Sequence, residues 1–280
     1  MAAILVTGAA KGIGEACVLR LARAGHHVFA GVRTAADGES LRARVVGRIV
    51  PVLLDVTNQA QITAAAATLE ADLGSSGLDG VVNNAGIAVA GPLEFLPLDA
   101  LRQQLEVNVI GQIAITQAVL PLIRRARGRI VNIGSVSGRS ALPMTGAYAA
   151  SKFALEALTD ALRVELRTWG IQVAIVEPGV IATPIWETSI AASQKLGATM
   201  PAKALEYYGR IIEGAMKRVL ESAARGLPPD RVAEVVEHAL FARKPRTRYV
   251  VGKDARVRLL LERLPDRGRD ALIARTMERL

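Results

Sequence analysis

Short runs of apolar residues alternate with longer segments of helical periodicity along most of the chain. Six such runs lie at positions 3–7, 27–32, 48–54, 78–83, 128–134 and 171–178. None of them alternates polar with apolar positions, which is typical of strands that are covered on both faces. Helical patterns fill the intervening segments, near 12–24, 36–46, 58–73, 99–126 and 147–168. A seventh apolar run, RTRYVVG at 246–252, follows a helical pattern near 229–242.

This β-α-β-α order predicts an α/β fold of the Rossmann type, with a doubly wound parallel sheet of about seven strands and helices on both faces. Two segments depart from the order. Residues 183–226 contain no strand pattern and predict a helical substrate-binding insertion or lid, because α/β proteins bind ligands beyond the carboxyl ends of their strands. Residues 253–280 predict a C-terminal extension of two amphipathic helices. We expect a single domain, 1–280, since no repeat or low-complexity linker divides the chain.

The composition and the N-terminus indicate the compartment. The 280 residues are 51% hydrophobic and 22% charged, an ordinary globular balance, and the single Cys17 excludes an internal disulfide. The N-terminal MAAILVTGAAKG has no basic region before its apolar run, so it does not match a secretory signal. No uninterrupted apolar stretch reaches the roughly 18–20 residues that span a bilayer. We therefore expect a cytoplasmic protein with no transmembrane segment.

The positive charge is concentrated near the C-terminus. The net charge is +9, and residues 225–280 contribute +6 of it, from 14 Lys/Arg against 8 Asp/Glu. Acids and leucines are interleaved with these cations, which is typical of a solvated amphipathic face, so we expect no nucleic-acid partner. The extension is expected to pack on the domain or to act as a lid, with weak peripheral membrane contact as the alternative. The three histidines have no metal-ligand spacing, and we predict no metal site.

The first predicted strand leads directly into TGAAKGIG at 7–14, a glycine-rich turn before a helix. A helix N-terminus offers free N–H groups and partial positive charge, and glycines let the backbone approach a pyrophosphate. The spacing is GxxxGxG and not GxGxxG, so the common dinucleotide fingerprint does not match, and a simple tight connection is the alternative. This turn is our candidate phosphate site.

Two cations favour NADP(H) over NAD(H) as the cofactor. The second strand ends at Val32 and is followed by Arg33, where an acidic residue would hold the ribose 2′-hydroxyl of NAD(H). Lys11 lies inside the glycine turn. A phosphate dianion between two cations is stabilised, whereas an uncharged hydroxyl gains little from them. Asp55, at the end of the third strand, can accept a hydrogen bond from an adenine amino group.

Six motifs together resemble the pattern of the classical short-chain dehydrogenase/reductases. They are TGAAKGIG (7–14), NNAG (83–86), Asn108, Ser135, YAASK (148–152) and PGVIAT (178–183), in the order and the approximate spacing of that family. The resemblance covers residues 3–183 strongly and 228–252 more loosely. A YxxxK pattern alone would be weak evidence, and the specificity comes from the whole set. A looser resemblance connects the chain with the branch of 17β-hydroxysteroid dehydrogenase type 1 and the retinol dehydrogenases.

The resemblance implies a reduction of a carbonyl by hydride, or the reverse oxidation, with four catalytic residues. Tyr148 would act as general acid or base, and Lys152, four positions later on the same helix, would lower its pKa and bind the nicotinamide ribose. Ser135 would hold the substrate oxygen, and Asn108 would kink its helix around a water that relays protons to Lys152.

The resemblance also implies where the two small molecules bind. The cofactor would contact Gly8, Lys11, Gly12, Ile13, Gly14, Arg33, Asp55, Val56, Asn84, Ala85, Gly86, Asn108, Tyr148, Lys152, Pro178, Gly179, Val180, Ile181 and Thr183. The substrate would contact Ser135, Gly138, Leu142, Pro143, Met144, Tyr148 and Trp186, with Ile190 and Met200 as further candidates. Each of these apolar residues has a place in the hydrophobic core as its alternative interpretation.

The predicted function is therefore an NADP(H)-dependent oxidoreductase that acts on a hydrophobic ketone, aldehyde or alcohol, with a steroid or a retinoid as example substrates. A 3-oxoacyl-thioester reductase with the same site is the enzymatic alternative. A protein that senses NADP(H) without turnover is the alternative from another class, disfavoured because all four catalytic residue types are present. Homodimers or homotetramers are common in the family and are expected here.

Overall fold

A computed structural model describes residues 1–278 of the chain. Its centre is one seven-stranded sheet with the order β3-β2-β1-β4-β5-β6-β7, and every neighbouring pair of strands is parallel. The strands are β1 (Ala3–Val6), β2 (His27–Val32), β3 (Ile49–Leu53), β4 (Gly80–Asn83), β5 (Arg129–Ile133), β6 (Gln172–Pro178) and β7 (Arg248–Val251). The predicted Rossmann-type doubly wound sheet is confirmed.

Eleven α-helices connect the strands or follow them within the described residues. They are α1 (Gly12–Arg23), α2 (Ala35–Arg42), α3 (Gln59–Leu73), α4 (Leu98–Leu105), α5 (Gly111–Ala126), α6 (Gly146–Glu165), α7 (Ile185–Gly197), α8 (Ala202–Ala224), α9 (Asp230–Phe241), α10 (Lys253–Leu261) and α11 (Asp266–Glu278). Each predicted strand and helix between positions 3 and 252 corresponds to an observed one.

Alternate residues of the strands enter two hydrophobic cores, one on each face of the sheet. In β1, Ile4 and Val6 belong to the core that contains residues of α1 and α9. Ala3 and Leu5 belong to the core that contains residues of α3 and α5. Both faces are therefore covered, which explains why the strand sequences show continuous apolar runs.

One predicted helix is interrupted in the structure. The pattern at 99–126 predicts a single helix, but α4 and α5 are separated by a π-helical turn, Glu106–Ile110, with Asn108 at its centre. A π turn admits one extra residue per hydrogen-bonded ring, and such turns are frequent at functional sites. Periodicity over so short a segment does not reveal it.

The combined helix Leu98–Ala126 is long and apolar enough, by length and composition, to cross a membrane. In this fold its inward side carries polar groups with partners in the domain. Thr116 accepts a hydrogen bond from the side chain of Asn83 on β4, and the side chain of Asn108 donates to Ser151 on α6. The helix is thus one of those that cover the sheet.

The insertion and the extension are both helical, as predicted. The insertion contains α7 and α8, and a single bridge between Ile181 and Leu227 closes its base. The extension contains α10 and α11, and the last two residues of the predicted range 253–280 lie outside the described residues.

Candidate active site

The candidate site lies along the carboxyl edge of the sheet. The strand order reverses between β1 and β4, and a crevice at such a point is where open α/β sheets bind ligands. The glycine turn follows β1, the NNAG segment follows β4, Ser135 follows β5, and PGVIAT begins at the end of β6. The topology therefore brings four of the six motifs to one edge.

The glycine turn has the backbone geometry of a phosphate cradle. Gly8 and Gly12 both have φ of +62°, a conformation that residues with a Cβ rarely adopt. The first turn of α1 has no side-chain cap, so its N–H groups are available to a ligand. A Cβ on Gly12 would lie 3.2 Å from the Cβ of Thr183. The turn and the PGVIAT segment thus face each other closely, and these residues fit the phosphates of a dinucleotide.

The NNAG segment is bound to the glycine turn by hydrogen bonds. The Asn84 side chain donates to the carbonyls of Thr7 at 2.9 Å and Gly8 at 3.1 Å. The backbone N–H groups of Asn84 and Ala85 both donate to the Thr7 hydroxyl at 3.0 Å. A Cβ on Gly8 would lie 2.9 Å from the Ala85 Cα. Asn84, a predicted cofactor residue, therefore has the structural role of shaping the turn.

The predicted 2′-phosphate and adenine residues are solvent-accessible. Lys11 and Arg33 are exposed, and neither forms an ion pair with another residue in the described part of the chain. Asp55 is half-buried, and two hydrogen bonds from Thr57 lower its pKa, to which the charge of Arg33 adds. Its Oδ1 is already bound by Thr57, at 2.9 and 2.7 Å. Arg33 and Asp55 therefore lie near enough to interact, at the ends of adjacent strands.

Two further predicted cofactor residues, Val56 and Ile13, are packed against neighbouring elements. Val56 is buried, and the start of α5 packs against it: a Cβ on Gly111 would lie 2.8 Å from Val56 Cγ2. Ile13 is half-buried in the first turn of α1, next to the buried Gly14, where a Cβ would lie 2.3 Å from the Gly8 carbonyl oxygen. Gly86 is exposed.

Tyr148, Lys152 and Ser135 meet where α6 crosses the end of β5. The Lys152 Nζ donates to the carbonyl of Ile133 at 2.8 Å, and it lies 5.8 Å from the centroid of the Tyr148 ring. Ser135 is buried two residues after Ile133, and its hydroxyl accepts the N–H of Ser137 at 3.1 Å. The lysine therefore connects the helix that carries the phenol to the strand that leads to the serine.

Burial dominates the protonation of the pair. It raises the pKa of Tyr148, and the Ser135 hydroxyl and the positive charge of Arg258 act in the opposite direction. Burial also lowers the pKa of Lys152 to about 8, which the negative charge of Glu156 opposes. That Lys152 lowers the pKa of Tyr148 stays a prediction.

Asn108 holds a loop instead of facing solvent. Its side chain accepts the N–H of Ile87 at 2.9 Å and donates to the Ile87 carbonyl at 3.0 Å and to the Ser151 hydroxyl at 3.1 Å. Ser151 in turn donates to the Tyr148 carbonyl at 2.7 Å. The π turn therefore ties the segment after NNAG to α6. The predicted kink at Asn108 takes the form of this π turn.

The PGVIAT segment has close contacts that sequence reasoning did not anticipate. A Cβ on Gly179 would lie 2.1 Å from Oδ2 of Asp254, and the same oxygen accepts the Val180 N–H at 2.7 Å. The sequence interpretation assigned Gly179 to contact with the cofactor. In the structure, a carboxylate of α10 takes that space. Pro178 and Ile181 are buried, and the Trp186 indole donates to the Ile181 carbonyl at 2.6 Å.

The predicted substrate residues do not all lie together. Met144 accepts the N–H of Gly91 through its carbonyl at 2.8 Å, and a Cβ on Gly91 would lie 3.4 Å from the end of Met200. Met144 and Met200 thus both contact Gly91. Gly138 instead packs on the α6 backbone, where its Cβ would lie 2.8 Å from the Lys152 carbonyl. Leu142 and Pro143 are exposed, and Ile190 is half-buried on α7.

Sequence reasoning missed residues on two elements, α7 and α10. Ser189 and Ser193 of α7 donate to the carbonyls of Ala88 and Ala90, so the insertion lies over the segment that follows NNAG. Asp254 and Arg258 of α10 contact the two loops beside the site. The spacing of four between the latter two places them on one face of a helix, which is the only signal that the sequence offers.

Comparisons with known proteins give a consistent result. The family model described as short chain dehydrogenase matches residues 2–194. Retinol dehydrogenase 5 of Mus musculus is 38% identical over 277 residues, covering 96% of this chain and 87% of the relative. The NADPH-dependent 3-dehydrocapnine reductase of Ornithobacterium rhinotracheale is 34% identical over 99% of this chain and 97% of its own length. A solved short chain dehydrogenase from Burkholderia cenocepacia J2315, in complex with NADP, has a TM-score of 0.72 and 26% identity, covering 98% of this chain and 96% of that one.

Proposed function

The chain belongs to the short-chain dehydrogenase family, and we propose that it is an NADP(H)-dependent oxidoreductase that interconverts a hydrophobic ketone or aldehyde with its alcohol. The observation that carries the proposal is the junction of α6 with β5. There the Lys152 ammonium is bonded to Ile133, two residues before the buried Ser135, and lies beside the Tyr148 ring. This junction shares its sheet edge with the glycine turn.

Tyr148 is the group that we propose to exchange the proton. A bound nicotinamide supplies or accepts the hydride, and the substrate oxygen then gains or loses a proton. The phenol is partly buried beside Ser135, whose hydroxyl can donate to the same substrate oxygen. Burial keeps the phenol protonated, which suits it to protonate the oxygen in the reduction direction.

Lys152 is proposed to orient this site. Its ammonium already uses one donor on the Ile133 carbonyl, and two donors are left for a ribose hydroxyl or a water. Because its pKa lies at about 8, the lysine is mostly protonated at neutral pH and can retain these bonds. The Ser151–Asn108 contact holds the backbone of the same helix turn from the other side.

The preference for NADP(H) rests on Lys11 and Arg33. Both cations are exposed at the edge where the adenosine ribose would lie, and neither is neutralised by an ion pair in the described residues. One relative is an NADPH-dependent reductase and one solved neighbour is in complex with NADP, which supports the same preference. Gly8, Gly12 and Thr183 would hold the phosphates between the two facing segments.

The substrate is proposed to be apolar. Met144 and Met200 both contact Gly91 in the mostly apolar segment 87–91, and α7 covers this segment. The resemblance to a retinol dehydrogenase points in the same direction. Location in the cytoplasm and assembly into a homodimer or homotetramer stay predictions.

The test is a screen of NADPH oxidation against ketones and aldehydes of graded size, with NADH in parallel. We expect turnover that rises with the apolar area of the carbonyl compound and that is faster with NADPH. Turnover of acetoacetyl thioesters alone would instead favour a 3-oxoacyl-thioester reductase. Tight NADPH binding without turnover of any carbonyl would favour a sensor. A clear preference for NADH would contradict the role given to Lys11 and Arg33.

A further inference from the structure

We propose that helix α10 of the C-terminal extension is part of the catalytic site. Through Asp254 and Arg258 it holds the two loops on either side of Tyr148, and Arg258 places a permanent positive charge beside that phenol. The proposal deepens the proposed oxidoreductase function, and only its kinetic test rests on that function. Arg258 and Asp254 are positioning residues in it, since they act through the loops and through Tyr148.

Asp254 holds the cofactor-side loop. Its carboxylate accepts the Val180 N–H at 2.7 Å and occupies a space bounded by two glycines, Gly179 and Gly252. A Cβ on either glycine would lie within 2.3 Å of a carboxylate oxygen, so both positions must lack a side chain while Asp254 is in place. Gly252 has φ of +113°, which turns the chain sharply from β7 into α10.

Arg258 holds the substrate-side loop. Its Nε donates to the Ser140 hydroxyl at 3.0 Å, and its Nη2 donates to the Ser140 carbonyl. Ser140 is 2% exposed, and it ends the tight loop that begins at Ser135. A guanidinium that binds both groups of one buried residue fixes that residue in direction as well as position. Arg258 and Asp254 are four residues apart, so one helix turn reaches both loops.

Arg258 also provides a positive charge that acts on Tyr148. The groups that act on the protonation of Tyr148 are its burial, the Ser135 hydroxyl and the charge of Arg258. Burial lowers the pKa of Lys152 to about 8 and raises the pKa of Tyr148. A guanidinium keeps its charge throughout this range. The acids that face Arg258 are Asp254, on its own helix, and Glu262, the residue directly after that helix ends.

The first test needs no substrate. The ionisation of Tyr148 is followed by tyrosinate absorbance after short pH jumps, with Tyr148→Phe subtracted to remove the signal of the other three tyrosines. We expect Arg258→Met to move this ionisation to higher pH by about one unit. Arg258→Lys, which keeps the charge, should move it less. Arg256→Met is the matched control, because Arg256 is an exposed arginine of the same helix, and it should leave the ionisation unchanged. Equal titrations of Arg258→Met and the unmodified protein would overturn the proposal.

The second test uses the proposed reaction. Reduction requires a protonated phenol, so its rate falls at high pH as Tyr148 ionises. In Arg258→Met this fall should begin at higher pH, together with a loss of about tenfold in kcat at neutral pH. A protein without any turnover would contradict the proposed function. The absorbance titration needs no turnover and would still decide the role of Arg258.

The third test separates the hydrogen bond of Asp254 from its charge. Asp254→Asn keeps an oxygen that can accept the Val180 N–H, whereas Asp254→Ala removes it. Hydrogen exchange of the Val180 amide should accelerate strongly in Asp254→Ala and little in Asp254→Asn. The affinity for NADPH should fall in the same order. Unchanged exchange in Asp254→Ala would show that Asp254 does not hold the loop of Val180.

Discussion

The side-chain ammonium of Lys152 lies 2.8 Å from the carbonyl oxygen of Ile133, and this bond joins α6 to the end of the strand that leads to Ser135. The bond is buried, and a buried carbonyl that loses its donor carries a desolvation cost. Lys152 therefore has a structural partner as well as the chemical role that its sequence motif implies. Substitutions at this position change the geometry of the site and its protonation together.

Replacement of Tyr148 by Phe should remove the proton donor and leave the ring in place. We expect carbonyl reduction to fall by about 10²–10⁴-fold, the usual contribution of a positioned acid or base. NADPH binding, measured by fluorescence or calorimetry, should change little. Tyr249→Phe is the matched control, because that hydroxyl lies on β7 and bonds to His238 and the Arg246 N–H. Retained reduction in Tyr148→Phe would exclude the phenol as the proton donor.

Replacement of Arg33 by Ala should weaken the binding of NADPH and not of NADH. Arg33 is exposed, so its removal leaves the core intact, and the lost contact to a 2′-phosphate should cost about tenfold in affinity. Arg42→Ala serves as the control, since Arg42 is an exposed cation of α2 that pairs with Glu39. An equal loss of affinity for both cofactors would show that Arg33 does not recognise the phosphate.

Local sequence signals predicted the fold and the motifs at the carboxyl edge of the sheet, because both depend on residues that are near one another in sequence. The TGAAKGIG turn lies between a buried strand and a helix start, and its positive-φ glycines are required by the turn itself. Ser135, Tyr148 and Lys152 were found because the family resemblance relates them. Asp254 and Arg258 were not found, because their partners Val180 and Ser140 are 74 and 118 residues away along the chain. No periodicity or turn rule connects such pairs.

Two interpretations explain why residue 179 is a glycine, and they predict different results. If Gly179 is a glycine because the Asp254 carboxylate approaches it, Gly179→Ala should displace α10, lower stability and weaken cofactor binding. The double variant Gly179→Ala/Asp254→Ala should then recover stability relative to Gly179→Ala, measured by urea unfolding. If the nicotinamide alone requires the glycine, removal of Asp254 should give no recovery. The sign of this coupling decides between the two.

The protonation of Glu156 should make the stability of the protein depend on pH. Glu156 lies one turn after Lys152 on α6 and is 7% exposed, with its Oε2 bound to Arg248 at 3.1 Å. Burial and the nearby charge of Glu177 raise its pKa from 4.5 to about 7, and Arg248 and Arg139 oppose this. Between these two values the folded protein keeps a proton that the unfolded chain has lost. Stability should therefore fall as the pH rises from about 4.5 to about 7 and carry the full penalty above that range.

Glu156→Gln should remove this dependence, because its amide cannot ionise and can still accept the Arg248 bond. Relative to the unmodified protein, we expect its free energy of unfolding to improve by about 1–2 kcal/mol between pH 5 and pH 8, measured by urea unfolding at both values. The exposed Glu165 of the same helix gives the control, Glu165→Gln, which should show no such change. A difference between Glu156→Gln and the unmodified protein that stays constant with pH would mean that Glu156 is already ionised in the folded protein at pH 5.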